Sequence, residues 1–274
     1  MLQRLIPLSI RAYLGNSYHH WKSQRDHARL LKKLKGDSVE CNVCGWLGKC
    51  FIDDAWHKGT ICPNCRSQVR HRLLAALLHG QAKSSFNFPS DLVINKRVLH
   101  FAPERQLCDQ IRSKAAIYVS ADFARADCDL ALDISNMHSV ESNSFDILIA
   151  CDVLEHVPND SDAFREIRRV LASDGMAILT VPQKDSPAVT DEDPWLEDEQ
   201  ERCRRFGQRD HVRIYGDDFK DRAAKHGFLV QVHDKNSFPE ELIHRHVLHP
   251  PQVSKHPLAT NFRRLYLLKP TGKS

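Results

Sequence analysis

SFDILIACDVLEHV, residues 144–157, decides how the rest of this 274-residue chain is read. Phe145 to Cys151 is an apolar run broken only by Asp146. Its length and flanks suit a strand buried on both faces, although periodicity alone does not separate it from a buried helix. Polarity then arrives abruptly with Asp152, Glu155 and His156, and Pro158-Asn159 introduces a helix with Phe164, Ile167, Val170 and Leu171 on one face. After Asp174-Gly175 a second buried run follows, MAILTVP. Strand, crossover helix and strand make a parallel α/β unit, and such sheets bind ligands beyond the carboxyl ends of their strands. Asp152 to His156 fall at such an end, although an acidic turn with a helix cap would also explain them.

The length accommodates one large domain plus a small module. The net charge of +4 is mild but uneven. Residues 1–40 hold eight Lys or Arg against three acids, whereas residues 185–201 hold eight acids and no base. The basic end admits an anionic partner or a solvated helix. Nine cysteines, an odd number with two Cys-x-x-Cys pairs, point to metal thiolates in a reducing compartment rather than disulfides. No apolar run approaches the roughly 20 residues of a membrane span, so the cytoplasm is the expected location. The Arg-bearing start, MLQRLIPLSIRAYLG, leaves an organelle presequence as the alternative.

In chain order, residues 18–35 predict a basic helix ending at Gly36, with Trp21, Ala28, Leu31 and Leu34 facing a neighbouring domain. Next, Cys41 and Cys44, then Cys62 and Cys65, form two knuckles separated by seventeen residues. Four soft thiolates at this spacing predict a tetrahedral zinc ribbon, with Zn2+ in a structural role because no coordination position stays open. Cys50 and His57 are expected to be packing or surface residues. Residues 66–79 predict an amphipathic helix with Arg66, Arg70, His71 and Arg72 as a basic edge, either solvated or touching phosphate. A Ser/Asn/Pro-bearing linker then leads to VLHFAPE, a strand with a following helix from Glu104. A second strand ends at Asp122, roughly twenty residues past the first, where such folds hydrogen-bond a ribose. The boundaries that follow are a basic helical segment 1–38, a ribbon 39–66, a connecting helix and linker 67–95, and an α/β domain 96–270 with an insertion at 183–216.

The succession VLHFAPE, SADF, DIS, SFDILIACDVLEHV and FREIRRVLASDGMAILTVP resembles a class I S-adenosylmethionine-dependent methyltransferase. It is most similar to the type 11-like branch with an N-terminal four-cysteine zinc-ribbon segment. That resemblance implies a doubly wound, Rossmann-like seven-stranded sheet and S-adenosyl-L-methionine as cofactor. It further implies that His100, Phe101, Ala102, Pro103 and Glu104 face the methionine part, that Asp122 takes the ribose, and that Asp133 and Ile134 lie against adenine. Cys151, Asp152 and His156 would border the sulfonium. One departure stands out: Phe101-Ala102-Pro103 occupies the place of the usual glycine-rich turn.

The inserted segment ends in FGQRDHVRIYGDDF, which crowds Gln208, Asp210, His211, Arg213 and Tyr215 together. If it closes over the cofactor, His211 is the expected base and Arg213 a clamp for an anionic substrate, with Asp210 and Tyr215 beside them; a salt-bridged turn is the alternative. Asp152, Glu155, His156 and His211 also resemble a magnesium-holding set in some RNA and quinone methyltransferases. The His- and Pro-rich stretch 244–257 reads as surface. The expected acceptor is a small molecule or glycan; the alternatives are RNA docked on the ribbon, or a non-catalytic zinc-ribbon binding protein.

Overall fold

The computed structural model describes residues 24–84, 86, 91–185 and 188–272. Trp21, the start of the expected basic helix and the Arg-bearing stretch 1–15 therefore lie outside the described residues. Helix α1 covers residues 24–33 and is largely exposed; of the expected docking face, Ala28 is exposed and Leu31 and Leu34 are half-buried. Gly36 does not cap this helix. It lies in β1 (Lys35–Glu40), where a Cβ would come within 2.8 Å of the Lys49 side chain, so a residue without one is required. β1 pairs antiparallel with β2 (Leu47–Gly48), and the two carry the first cysteine knuckle between them.

Helix α2 (Val69–Leu78) leads to β3 (Arg97–Phe101), α3 (Arg105–Arg112), β4 (Ile117–Asp122), β5 (Leu130–Ala131) and β6 (Phe145–Cys151). α4 (Asp160–Val170), capped by the Asn159 side chain on the Ser161 amide, runs straight into β7 (Leu171–Thr180). The inserted segment contributes β8 (Asp191–Glu192), α5 (Glu199–Phe206) and β9 (Arg213–Ile214). α6 (Phe219–Ala224), β10 (Phe228–His233), α7 (Glu240–His246) and β11 (Leu265–Pro270) complete the chain. The main sheet has seven strands in the order β10-β11-β7-β6-β3-β4-β5. β3 to β7 are parallel, and β11 inserts antiparallel between β7 and β10. The expected doubly wound, seven-stranded α/β sheet is present.

Strand periodicity divides the core into two layers. Ile147, Ile149 and Cys151 of β6 face α2, α3 and the ribbon, whereas Leu148 and Ala150 face the layer of α4 and α6. Cys41, Val43 and Phe51 of the ribbon belong to the same apolar cluster as α2 and the sheet. The ribbon is thus packed onto the α/β domain instead of standing apart. This also corrects the reading of α2. Every residue from His71 to Leu78 is buried, leaving Arg66, before the helix, as the exposed member of the expected basic edge.

Candidate functional site

The carboxyl end of β3 turns at Ala102, whose φ of 44° is left-handed. The chain therefore makes the turn that glycine would favour, using an alanine at a cost of roughly 1–2 kcal/mol. Its amide donates to Ala121 O at 2.8 Å, tying the β3 turn to β4. His100 and Phe101 are buried in the core. His100 bridges Tyr118 Oη (3.0 Å) and Glu104 Oε2 (2.8 Å) inside the domain. Burial alone would raise the Glu104 carboxyl, but the His100 hydrogen bond and charge outweigh it and hold the group below its ordinary range. Its Oε1 is buried without a partner among the described residues.

At the end of β4, Asp122 Oδ1 accepts from the amides of Ala124 and Arg125 at 2.8 and 2.9 Å. Asp133 Oδ1 likewise accepts from Ser135 N and Oγ. Ile134 is buried in the core. Neither Asp122 nor Asp133 borders the main cavity. The Arg125 guanidinium crosses from the β4 turn to Pro103 O at 2.9 Å. Between Asp122 and this arginine, Phe123 leaves its ring 79% exposed at a strand end. An aromatic in a turn gives no periodic signal in the sequence.

The end of β6 is the most charged part of the rim. Asp152 has a left-handed φ of 54°. Its carboxylate accepts from Thr180 Oγ1 at 2.9 Å and from Arg263 Nη1 at 2.9 and 3.1 Å, with Arg70 Nε 3.4 Å away. Burial pushes its pKa up, but Arg263, Arg70 and Thr180 outweigh burial and hold it at about 2. Beside it, burial pushes the Cys151 thiol well up.

Above this rim lies a cavity of about 580 Å³. Ala102, Glu104, Cys151 and Asp152 form its floor, and the inserted segment supplies Phe206, Gln208, His211 and Ile214. The third wall was not expected. Ribbon-loop residues Trp56 and His57 meet the 250–263 stretch there, through Trp56 stacked on His256 at 4.7 Å and His57 bonded to Asn261 at 3.1 Å. The His/Pro-rich segment is thus partly a cavity wall, and His57 faces the cavity. Only tertiary packing joins residues two hundred positions apart.

His211 is buried and lines the cavity. Its Nδ1 faces Phe206 O at 3.0 Å, and because a carbonyl only accepts, Nδ1 carries the proton and Nε2 is left with a lone pair. Nε2 has no hydrogen-bond partner among the described residues and stands 3.9 Å from Glu155 Oε1. Burial, then the neighbouring His156, lowers the His211 pKa, so the ring is neutral near pH 7. Burial and the charge of Asp152 push the Glu155 carboxyl well up. Ligand atoms of Glu155, His156 and His211 lie within 4.8 Å of one another. Asp152 is not in that group, since its oxygens face Arg263 and Thr180; this corrects the four-residue magnesium set. Two imidazoles and one carboxylate suit a divalent transition metal better than magnesium.

Three other expected catalytic residues take different places. Arg213 is 1% exposed and donates to the carbonyls of Leu154, Val157 and Pro158 and to Glu192, pinning the insertion to the turn after β6. It has no free fork for a substrate anion. Tyr215 is fully buried, with its hydroxyl on Asp160 at 3.1 Å. Asp210 is exposed beside His156 and does not line the cavity.

The four ribbon cysteines converge. Cys41 and Cys65 Sγ are 3.7 Å apart, and Cys44 and Cys62 Sγ are 3.8 Å apart. Zn–S bonds of about 2.3 Å in a tetrahedron place the sulfurs about 3.8 Å apart, so the four thiolates fit zinc. Gly45 and Arg66, each closing a knuckle, have φ of 71° and 65°. The buried Arg72 guanidinium donates to the carbonyls of Thr60, Ser67, His246 and Val247 and stacks on Phe51. It joins the ribbon to the end of α7.

The cavity lies at the carboxyl ends of the central parallel strands, where sheets of this kind bind ligands. A family model described as "Methyltransferase domain" matches residues 110–179. No curated protein matches the chain. Among solved structures, the chain is similar to the Burkholderia thailandensis 1,6-didemethyltoxoflavin N1-methyltransferase (13% identity, TM-score 0.47, covering 72% of this chain and 76% of that one). It is also similar to a Mesorhizobium loti S-adenosylmethionine-dependent methyltransferase (15%, 0.44, 64% and 92%). A third is the Haemonchus contortus phosphoethanolamine N-methyltransferase 2 (15%, 0.47, 74% and 53%). The matched stretch runs from the end of α3 through β4, β5, β6 and α4 into β7, the parallel half of the sheet.

Proposed function

We propose that the protein transfers a methyl group from S-adenosylmethionine to a small-molecule or glycan-type acceptor seated in the cavity above β6. The observation that carries this reading is the unpartnered, buried Nε2 of His211 lining a cavity of about 580 Å³. That volume is in the range of small-molecule sites. The burial of α2 counts against RNA, because Arg72 is committed to the ribbon and Arg70 lines the cavity instead of the outer surface.

Bound S-adenosylmethionine supplies an electrophilic methyl on a good leaving group, and the residues of this chain do the rest. The free oxygen of Asp122 would take the ribose, the exposed Phe123 ring would stack on adenine, and Ala102 and Glu104 would border the methionine part. His211 Nε2 accepts the proton from the acceptor's nucleophile, while Phe206 and Ile214 exclude water. Cys41, Cys44, Cys62 and Cys65 hold a structural zinc.

Calorimetry with S-adenosylhomocysteine tests the reading. Asp122→Ala is expected to weaken binding about tenfold or more, the worth of one charge-assisted hydrogen bond. His211→Ala should keep that affinity and lose turnover. A wild-type protein that does not bind S-adenosylhomocysteine sinks the assignment. A second reading rests on the Glu155–His156–His211 cluster: a divalent metal there would make His211 a ligand. Metal analysis of purified protein separates the two, one equivalent per chain for the ribbon alone and two if this cluster is filled.

A further inference from the structure

We propose that Arg70 and Arg263 form the receptor for an acidic group, a carboxylate or phosphate, on the methyl acceptor; this presupposes the methyltransferase reading above. Both guanidiniums converge on one carboxylate, that of Asp152, and both line the cavity. Their side chains are only 23% and 18% exposed. A guanidinium has five N–H donors. Arg263 uses Nη1 on Asp152, and Arg70 Nε is buried without a hydrogen-bond partner. The other nitrogens of the two side chains make no hydrogen bond among the described residues. Two cations facing one anion leave a net positive pole, and arginine forks match the planar oxygens of carboxylates and phosphates.

Among the described residues, the other acids around the cavity make no ion pair with either guanidinium. Asp54 accepts from Trp56 N, His57 N and Thr60 Oγ1 within its own loop. Glu104, on the cavity floor, accepts from His100 Nε2 at its Oε2. Burial favours the neutral form of Glu155. Placement separates the pair from the cofactor's side. Arg70 follows the zinc knuckle and Arg263 precedes β11, so both belong with the wall made by Trp56, His57 and Thr260. Asp122 and Asp133 lie on the opposite side of β3, toward β5. In this arrangement Asp152 holds the two forks at a fixed spacing, and the acceptor's acid docks on their remaining donors.

Calorimetric titration of the full chain with inorganic phosphate, with and without saturating S-adenosylhomocysteine, tests this. The wild type is expected to bind phosphate saturably. Arg70→Gln and Arg263→Gln should each weaken phosphate at least tenfold, with the corresponding Lys variants intermediate. Affinities for S-adenosylhomocysteine and methylthioadenosine should stay within twofold. Each single variant leaves Asp152 one arginine, and melting temperatures report whether folding is preserved. Phosphate affinity that is undetectable in the wild type, or unchanged in both Gln variants, overturns the proposal. So does loss of S-adenosylhomocysteine affinity with methylthioadenosine spared, which would place the cofactor's own carboxylate on the pair. If the wild type fails to bind S-adenosylhomocysteine, the methyltransferase reading falls, while the phosphate titration without it still reports on the two arginines.

Discussion

At the scale of single residues, Asp152 and Ala102 show how the rim is held. Asp152 is kept ionised by Arg263, Arg70 and Thr180 at a pKa of about 2, against 3.8 for the ordinary side chain. A depressed carboxyl contributes stability that is complete above its unfolded value and disappears as pH falls through the folded one. The expected contribution is roughly 2 kcal/mol at neutral pH, lost between about pH 5 and pH 2. Denaturant titrations of Asp152→Asn and wild type across that window should converge at the acid end; curves that stay parallel would show the carboxylate is not held this way. Ala102 presents the opposite case, a left-handed backbone without a glycine. Ala102→Gly is expected to stabilise the fold by up to about 1 kcal/mol, since relief of the left-handed strain exceeds the added chain entropy. Thermal melts read this, and a lower midpoint would mean the turn is not strained.

At the scale of elements, the ribbon and α2 act together. Cys65 is five positions before Arg70, so the second knuckle fixes the start of the helix that presents Arg70 to Asp152. Gln110 Nε2 donates to Val43 O at 2.5 Å, and Arg245 and His246 of α7 bond Glu40, locking the ribbon on two further helices. Binding of a structural zinc contributes on the order of 10 kcal/mol to folding such a module. Chelation should therefore lower the melting temperature of the whole chain in one transition, with one zinc released per chain. An unchanged melt after complete zinc removal would overturn the structural role. The insertion is held in a different way, by one guanidinium. Arg213→Met should destabilise by about 3 kcal/mol or more, because three buried carbonyls and Glu192 lose their donor. Urea denaturation checks this, and a change under about 1 kcal/mol would return Arg213 to the candidate substrate contacts.

At the scale of the whole molecule, one apolar cluster runs from Phe51 of the ribbon through Leu73 and Leu74 to Ile149 and Leu267 of the sheet. A fragment of residues 96–272 would expose the α2-facing side of β3, β6 and β7. It is expected to be aggregated or molten, by near-UV circular dichroism, even though it contains all seven strands. A cooperative melt of that fragment would show that the ribbon is dispensable. Among the described residues, no helix is long and apolar enough to cross a membrane.

The sequence by itself determined the strands of the main sheet, the parallel unit around β6 and the four-cysteine framework. These follow from local periodicity, from turn residues and from fixed spacings within short stretches. It also brought His211 into consideration, through the density of titratable groups near it. Tertiary structure alone decided which of those groups face solvent, cavity or core. Arg213 and Tyr215 look as reactive in sequence as His211, but burial against backbone carbonyls and Asp160 gives them structural tasks. The third wall of the cavity, where Trp56 meets His256, and the convergence of Arg70 with Arg263 have no signature in the chain. Contacts between segments two hundred residues apart are fixed by how the sheet, ribbon and loops pack, and no local pattern encodes them.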